Sequence, residues 1–203
     1  MRFAVLVLIL VVLAGCAVTP AAKLDPETAP PLVTVTPFAD SRHFIVARDT
    51  TFRIAGSDQP IVVPAGFVTD FASVPRAFCA GLSPHGQYSR AAVLHDYLYW
   101  TQSCTRAQAD KLFLLMMKQS GVSLANRQTI YGTTRAAGEG GWQRNAADRK
   151  AGLVRIIPEG YRDAPSTATW PAYRKQLRNL GVRPPPIEIG APYCGLADKT
   201  EDS

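Results

Sequence analysis

A change of hydrophobic periodicity near residue 71 is the feature that most constrains the fold of this chain. Before it, short β-branched segments alternate apolar and polar residues, which is typical of half-buried strands. After it, apolar residues recur at spacings of three and four, which is typical of amphipathic helices. The sequence therefore predicts an α+β fold, in which a small N-terminal antiparallel β-sheet precedes a helical core with an antiparallel helix pair. The predicted strands are 32–36, 44–46, 50–54 and 61–63.

The helical part carries clear start and stop signals. Ser73 precedes a Val-Pro pair, which suits an N-cap with proline in the first turn, and Thr105 and Gly121 bracket a later helix. The short loop 102–104 makes the helices on either side of it antiparallel neighbours. After the glycine-rich stretch 138–141 the sequence predicts irregular, Pro-rich chain with one short helix. The predicted helices are 73–82, 88–101, 105–119, 124–137 and about 171–180.

The N-terminus combines a positive charge, an apolar run and a cysteine. Arg2 precedes the apolar stretch 3–14, which is too short to span a bilayer because a transmembrane helix needs about 20 residues. The motif Leu-Ala-Gly-Cys that ends at Cys16 resembles the bacterial lipobox, which implies cleavage before Cys16 and lipidation of its thiol. An ordinary signal peptide with a chance cysteine is the alternative. Ala17 stands where an inner-membrane retention signal places Asp, so we expect a lipid anchor on the periplasmic face of the outer membrane, within the bacterial cell envelope.

Composition along the chain divides it into four predicted segments. These are a signal peptide at 1–15, a flexible Pro- and Ala-rich tether at 16–31, a core domain at 32–142 and a Pro-rich, basic extension at 143–203. The net charge is +6, and residues 121–186 hold eleven Lys and Arg against four acids. A basic surface near a membrane suits anionic lipid headgroups or an anionic envelope polymer, although a simply solvated surface explains it equally well. Outside the cytoplasm, nucleic acid is not expected as a partner, and the sequence gives no oligomeric state.

Three cysteines remain after lipidation, and an oxidising compartment permits them to form disulfides. An odd number allows at most one internal bridge. Cys79 and Cys104 flank one predicted stretch of helix, so this pair is favoured over a bridge to Cys194.

Ionisable residues that suit chemistry concentrate on the predicted antiparallel helix pair. His95 and Tyr99 are four apart and share one helix face, whereas Asp96 is rotated by about 100° from His95. Asp110 lies in the first half of the returning helix, one turn after Arg106, and can face that histidine and tyrosine. Such a cluster is either a buried hydrogen-bond network or a general base with its orienting partners.

Two motifs resemble an uncharacterised bacterial and phage family, domain of unknown function 1353. They are VPAGFVTDFASVPR at 63–76 and AAVLHDYLY at 91–99, within a resemblance that covers about 33–142. Arg106, Ala109, Asp110 and Phe113 fit the same family. That resemblance implies no established activity.

A looser resemblance lies in residue order. The order of three short patterns is similar to that in secreted phospholipase A2 of bacteria and fungi. The patterns are Thr-Asp-x-x-Ser, then Ala-x-x-x-His-Asp-x-x-Tyr, then Ala-Asp-x-x-Phe. The resemblance implies a calcium-dependent lipid-ester hydrolase in which the histidine activates a water. Phe71 stands where those enzymes have glycine, and their paired disulfides and the animal-type glycine-rich calcium loop are missing. The implied catalytic residues are His95, Asp110 and Tyr99, and the implied Ca²⁺ ligands are Asp70, the Phe71 carbonyl and Asp96.

Two other functions remain open at this point. A non-catalytic envelope lipoprotein would use the same His, Asp and Tyr cluster as a buried polar network. A zinc hydrolase of cell-wall peptides would need His85, His95 and an aspartate, although no compact ligand motif joins them. Arg76 is a further candidate, either as a contact for lipid phosphate or as an ion-pair partner.

Overall fold

The structure, a computed structural model, describes residues 24–71, 86–187 and 189–199. Within them two small antiparallel sheets precede a set of helices, which confirms the predicted α+β class. Several predicted features lie outside the described residues, namely the signal peptide, Cys16, helix 73–82, Arg76, Cys79 and His85.

The N-terminal strands form two sheets rather than the single one expected. Strands β1 (Val35–Pro37), β2 (Phe44–Val46) and β5 (Val68–Thr69) form one sheet in the order β1-β2-β5. Strands β3 (Thr50–Phe52) and β4 (Ile61–Val63) pair as a separate hairpin. The sequence did not predict β5, because a strand of two residues leaves no alternation to detect.

A turn at Gly66 brings a distant segment against the sheets. Gly66 has φ +86°, and an added Cβ would collide with the carbonyl oxygen of Ile157, so only glycine fits there. The Ile157 amide donates to the Gly66 carbonyl over 2.8 Å, and Phe67 bridges Ile156. This contact places Arg155 beside the end of β5, where it becomes part of the site.

Helices α1 (Ser89–Thr101) and α2 (Arg106–Gln119) form the predicted antiparallel pair. Gln102 takes a left-handed conformation and donates its amide to Leu98, which ends α1. Thr105 caps α2 in a reciprocal capping box with Gln108, as its sequence position predicted.

The stretch expected to be irregular contains a helix. Helix α3 (Leu124–Ala137) has the predicted bounds, but α4 (Glu139–Lys150) follows after Gly138. The prediction that the glycine-rich stretch 138–141 ends the helical chain and that irregular chain follows it was therefore wrong. Gly138 keeps helical dihedrals and the chain re-enters a helix at once, because packing of α4 against α1 outweighs the poor helix propensity of its glycines. Helix α5 (Trp170–Asn179) matches the short predicted helix to within a residue.

The C-terminal chain returns to the main core. The terminal helix α6 (Leu196–Lys199) and the short 3₁₀ helix Pro192–Gly195 pack on α2, and their buried residues belong to the core that α1 and α2 share. Cys194 forms a disulfide with Cys104, with the Cα atoms 5.4 Å apart, so the favoured Cys79–Cys104 pairing was wrong. A bridge between residues 90 positions apart depends on this tertiary return, which Cys spacing does not encode. Among the described helices, none has the length and apolar character needed to cross a membrane.

Candidate functional site

His95, Tyr99 and Asp110 meet between α1 and α2, as the helix spacing predicted. His95 Nε2 lies 2.9 Å from Asp110 Oδ1, and the Tyr99 hydroxyl donates to the same oxygen over 2.6 Å. The Asp110 side chain is fully buried, and His95 is 1% exposed. Arg106 donates to the second carboxylate oxygen over 3.3 Å and brings positive charge next to it. A buried carboxylate with this many donors is well compensated for the loss of water.

The contact with Asp110 bears on which imidazole nitrogen of His95 carries a proton. A carboxylate only accepts hydrogen bonds, so the Nε2 that faces Asp110 carries a proton. Burial raises the pKa of the Tyr99 phenol, and the hydrogen bond to Asp110 and its charge raise it further. Tyr99 therefore remains protonated and continues to donate to the carboxylate.

Packing holds the two rings in this geometry. The His95 ring stacks on Phe113, with centroids 4.5 Å apart, and lies 4.1 Å from the Tyr99 ring. Gly138 sits directly against the Tyr99 hydroxyl, and a Cβ on Gly138 would collide with that hydroxyl and with the Thr134 carbonyl. The missing side chain at Gly138 thus leaves room for the tyrosine to reach Asp110.

His95 and Tyr99 line a cavity of about 420 Å³. Its other walls come from the end of β5, from α3, α4 and α5, and from the segment with Arg155 that packs against the turn at Gly66. A cavity of this size accommodates a small organic group rather than a whole lipid. The other lining residues are His43, Asp70, Asp96, Thr134, Ala137, Gly138, Gly141, Arg144, Asn145, Asp148, Arg155, Trp170, Pro171 and Arg174.

Two of the three expected calcium ligands accept hydrogen bonds in the structure. Asp96 Oδ2 accepts from the Thr69 hydroxyl over 2.6 Å and from the amides of Asp70 and Phe71 over 3.3 and 3.1 Å. Asp70 Oδ1 accepts from the Arg155 guanidinium over 3.0 Å. Calcium needs several oxygen ligands, and a guanidinium on one of them repels a divalent cation. A calcium ion at these residues would have to compete with the donors, and calcium binding stays a prediction.

Two arginines that the sequence did not single out contribute to the cavity. Arg155 bonds the Val68 carbonyl, Asn145 and Asp70. Arg174 donates to Asp148 over 2.6 Å and lies between the rings of Trp100 and Trp170. Both come from the segment expected to be an irregular extension, where no local periodicity marks them. The excess of basic residues in 121–186 was the one signal that pointed to them.

His43 reaches the cavity from the loop between β1 and β2, where Asp40 holds it. Asp40 Oδ2 lies 3.1 Å from His43 Nδ1 and accepts the Trp170 amide over 2.9 Å, so the carboxylate joins this loop to the start of α5. Burial acts to raise the pKa of Asp40, but backbone hydrogen bonds from Arg42, Trp170 and His43 outweigh it and lower the pKa to about 2.

The zinc alternative receives no support from the described part of the chain. His85 lies outside it, and across 24–71, 86–187 and 189–199 no cluster of three His, Cys, Asp or Glu side chains is placed to hold a metal ion. Arg76 and Cys16 are likewise outside the described residues, so their roles stay predictions.

Comparison with known proteins finds a family that covers the middle of the chain. Residues 44–133 match the model of a family described as "Protein of unknown function (DUF1353)", which confirms the resemblance predicted from the two motifs. The match includes His95, Tyr99 and Asp110 but ends before Arg155 and Arg174. No curated protein and no solved structure matches the chain. The resemblance to phospholipase A2 therefore stays a prediction.

Proposed function

We propose that this chain, whose residues 44–133 carry a DUF1353 domain, is a lipid-ester hydrolase of the phospholipase A2 type with His95 as its general base. The observation that supports this most is the contact between His95 and a fully buried Asp110 at the wall of a cavity. A histidine whose second nitrogen is held by a buried carboxylate is oriented for proton transfer, which typically contributes a factor of about 10² to 10⁴ in rate.

In the proposed reaction, His95 Nδ1 takes a proton from a water molecule as the water oxygen attacks the ester carbonyl. The tetrahedral intermediate then collapses, the carbon–oxygen bond to the alcohol breaks, and the imidazolium returns its proton to the leaving oxygen. Asp110 stabilises the imidazolium while it exists, and Tyr99 holds the carboxylate in place. The products are a carboxylic acid and an alcohol, and His95 is restored.

A membrane anchor would bring such an enzyme to its substrate. We propose that lipidated Cys16 holds the chain on the envelope, where its basic part meets anionic lipid or another anionic envelope polymer. Calcium dependence, which the resemblance implies, has less support, because the expected ligands are engaged as hydrogen-bond acceptors. No step above depends on a metal.

The direct test is fatty-acid release from phosphatidylglycerol vesicles. Wild type should release fatty acid, and His95→Gln should lose at least about 100-fold in rate. Tyr99→Phe should lose about tenfold, because Asp110 keeps its contact with His95. Tyr173→Phe is the matched control, since it also removes a buried tyrosine bond, here to the Tyr161 carbonyl, but lies outside the cavity. No release from folded wild type would refute the proposal.

Adding a chelator to the same assay distinguishes a requirement for calcium from the role of His95 as general base. Release that stops with EDTA and returns with calcium would support a metal site. Release that persists with EDTA would remove calcium from the proposal and leave the role of His95 intact.

A structural role is the second candidate, and the burial of the cluster favours it. With His95 1% exposed and Asp110 satisfied by several donors, the same residues would serve as a polar core network. In that case His95→Gln lowers the melting temperature and no ester hydrolysis is found in any variant. An unchanged melting temperature in His95→Gln counts against this candidate.

A further inference from the structure

Arg174 is a largely buried cation at the cavity, and one of its guanidinium nitrogens has no hydrogen-bond partner among the described residues. Its Nε donates to the Val154 carbonyl over 2.7 Å and its Nη1 to Asp148 over 2.6 Å. Its Nη2 is buried, and no described residue accepts a hydrogen bond from it. A buried N–H donor that makes no hydrogen bond costs free energy of folding. A ligand with an acceptor oxygen at this position would remove that cost.

Arg144 supplies a second available guanidinium at the same cavity. It lies on α4 and is exposed, and it makes no hydrogen bond or ion pair to the described residues. Its Nη1 is 3.2 Å from the position of a Cβ on Gly140, so the side chain folds back over the glycines that begin α4.

The acids of the cavity already have donors. Asp70 accepts from Arg155 and Asp148 from Arg174, while Asp96 accepts from Thr69 and two backbone amides. Arg174 Nη2 and the Arg144 guanidinium are donors at the cavity that have no such bond to the described residues. Burial lowers the pKa of Arg174, Asp148 opposes this, and the nearby positive charge of Arg155 lowers the pKa further, so an anion bound at Arg174 would be attracted by the charges of both arginines.

We infer that the cavity binds a phosphate group through Arg174 and Arg144. Guanidinium forks match the spacing of phosphate oxygens, and several oxygens on one anion can satisfy Arg174 Nη2 and Arg144 together. This inference rests on the proposed function, and it makes the substrate of the hydrolase an ester that carries a phosphate group. The phosphate lies on the side of the cavity formed by α4 and α5, and the acyl ester lies at His95.

Calorimetric titration tests the phosphate site without any need for turnover. The probes are inorganic phosphate and the soluble lipid dihexanoyl phosphatidylglycerol. Arg144→Gln should weaken binding of a probe about tenfold, the loss expected for one charge-assisted hydrogen bond. Lys150→Gln is its matched control, since it removes the same charge from an exposed position on the same helix but outside this cavity.

Arg174→Lys adds a second measurement that retains the charge. It keeps a cation near Asp148 but removes Nη2, and it should weaken phosphate binding at least as much as Arg144→Gln does. Its control is Lys175→Gln, an exposed neighbour on α5 that does not line the cavity. If Arg174→Lys does not fold, Arg144→Gln still decides the question.

The outcomes separate this inference from the proposed hydrolase. Binding that depends on Arg144 supports the phosphate site even if no ester is cleaved. Lipid that binds while inorganic phosphate does not assigns the site to a headgroup, and the reverse assigns it to free phosphate. Binding of neither probe to folded wild type, or equal affinities in Arg144→Gln and Lys150→Gln, would overturn the inference even if vesicle hydrolysis is found.

Discussion

Asp110→Asn, alone and together with Tyr99→Phe, gives the sharpest stability test of the buried cluster. The substitution keeps the shape of the side chain and removes its charge. His95 and Tyr99 then face a neutral amide, and Arg106 loses its ion pair with Asp110 but keeps the one with Glu139. Because Asp110 is fully buried, solvent cannot replace these contacts.

The magnitudes follow from burial and from the number of donors. Disrupting a buried ion pair on one side costs about 3–5 kcal/mol, and Arg106 is 23% exposed, so we expect a loss near the lower end, about 3 kcal/mol. Tyr99→Phe removes one hydrogen bond to a charged acceptor and should cost about 1.5–2 kcal/mol. The double variant should lose about 1 kcal/mol less than the sum, since both substitutions remove the same charged contact.

Urea unfolding followed by circular dichroism measures these free energies, with the m-value checked for constancy. Tyr173→Phe combined with Asp110→Asn is the control. Tyr173 belongs to a separate buried cluster, so that pair should be additive within about 0.5 kcal/mol. If Tyr99→Phe and Asp110→Asn are equally additive, the two side chains are not energetically coupled and the reasoning about the cluster is refuted.

The other stability predictions concern the glycines around α3 and a carboxylate outside the cluster. Gly138→Ala should lower the free energy of unfolding by about 1–3 kcal/mol, because its Cβ meets the site tyrosine, whereas Gly132→Ala, with nothing within 4 Å, should raise it by about 0.5–1 kcal/mol. Urea midpoints measure both changes. If the two substitutions shift the midpoint in the same direction, the packing argument is contradicted. Asp40, whose pKa is lowered from 3.8 to about 2 in the folded protein, should contribute about 1–2 kcal/mol above pH 4 and lose this as pH falls to 2. Asp40→Asn should therefore flatten the dependence of the urea midpoint on pH in that range, and identical slopes would rule the effect out.

The part of the site that was predictable is the part encoded locally. His95 and Tyr99 are one helical turn apart, and a short loop returns the chain so that Asp110 faces them, which confirms the predicted contact. The capping box at Thr105 likewise follows from nearby sequence. These features depend on spacings within about twenty residues, where helix geometry alone decides which side chains meet.

The part that could not be predicted depends on distant contacts. Arg155 reaches Asp70 across 85 residues, and Cys104 joins Cys194 across 90, and no periodicity marks either pair. Helix α4 was missed because glycine normally ends a helix, yet close packing against Tyr99 requires Gly138. In each case tertiary contacts outweigh the local preference that sequence patterns report.

Asp96 fixes the backbone turn at the end of β5 through one of its carboxylate oxygens. Phe71, which stands where phospholipase A2 has glycine, takes φ +50°, the left-handed conformation that glycine adopts without cost. Its amide donates to Asp96 Oδ2, and its ring packs against Phe44 with centroids 5.2 Å apart, so these contacts offset a strain of about 1 kcal/mol. Asp96 thus fixes the turn that carries Asp70 toward Arg155, and it acts as a positioning residue for the cavity. In that role Asp96 Oδ2 accepts hydrogen bonds from the Thr69 hydroxyl and from the amides of Asp70 and Phe71, so this carboxylate oxygen is engaged in holding the turn.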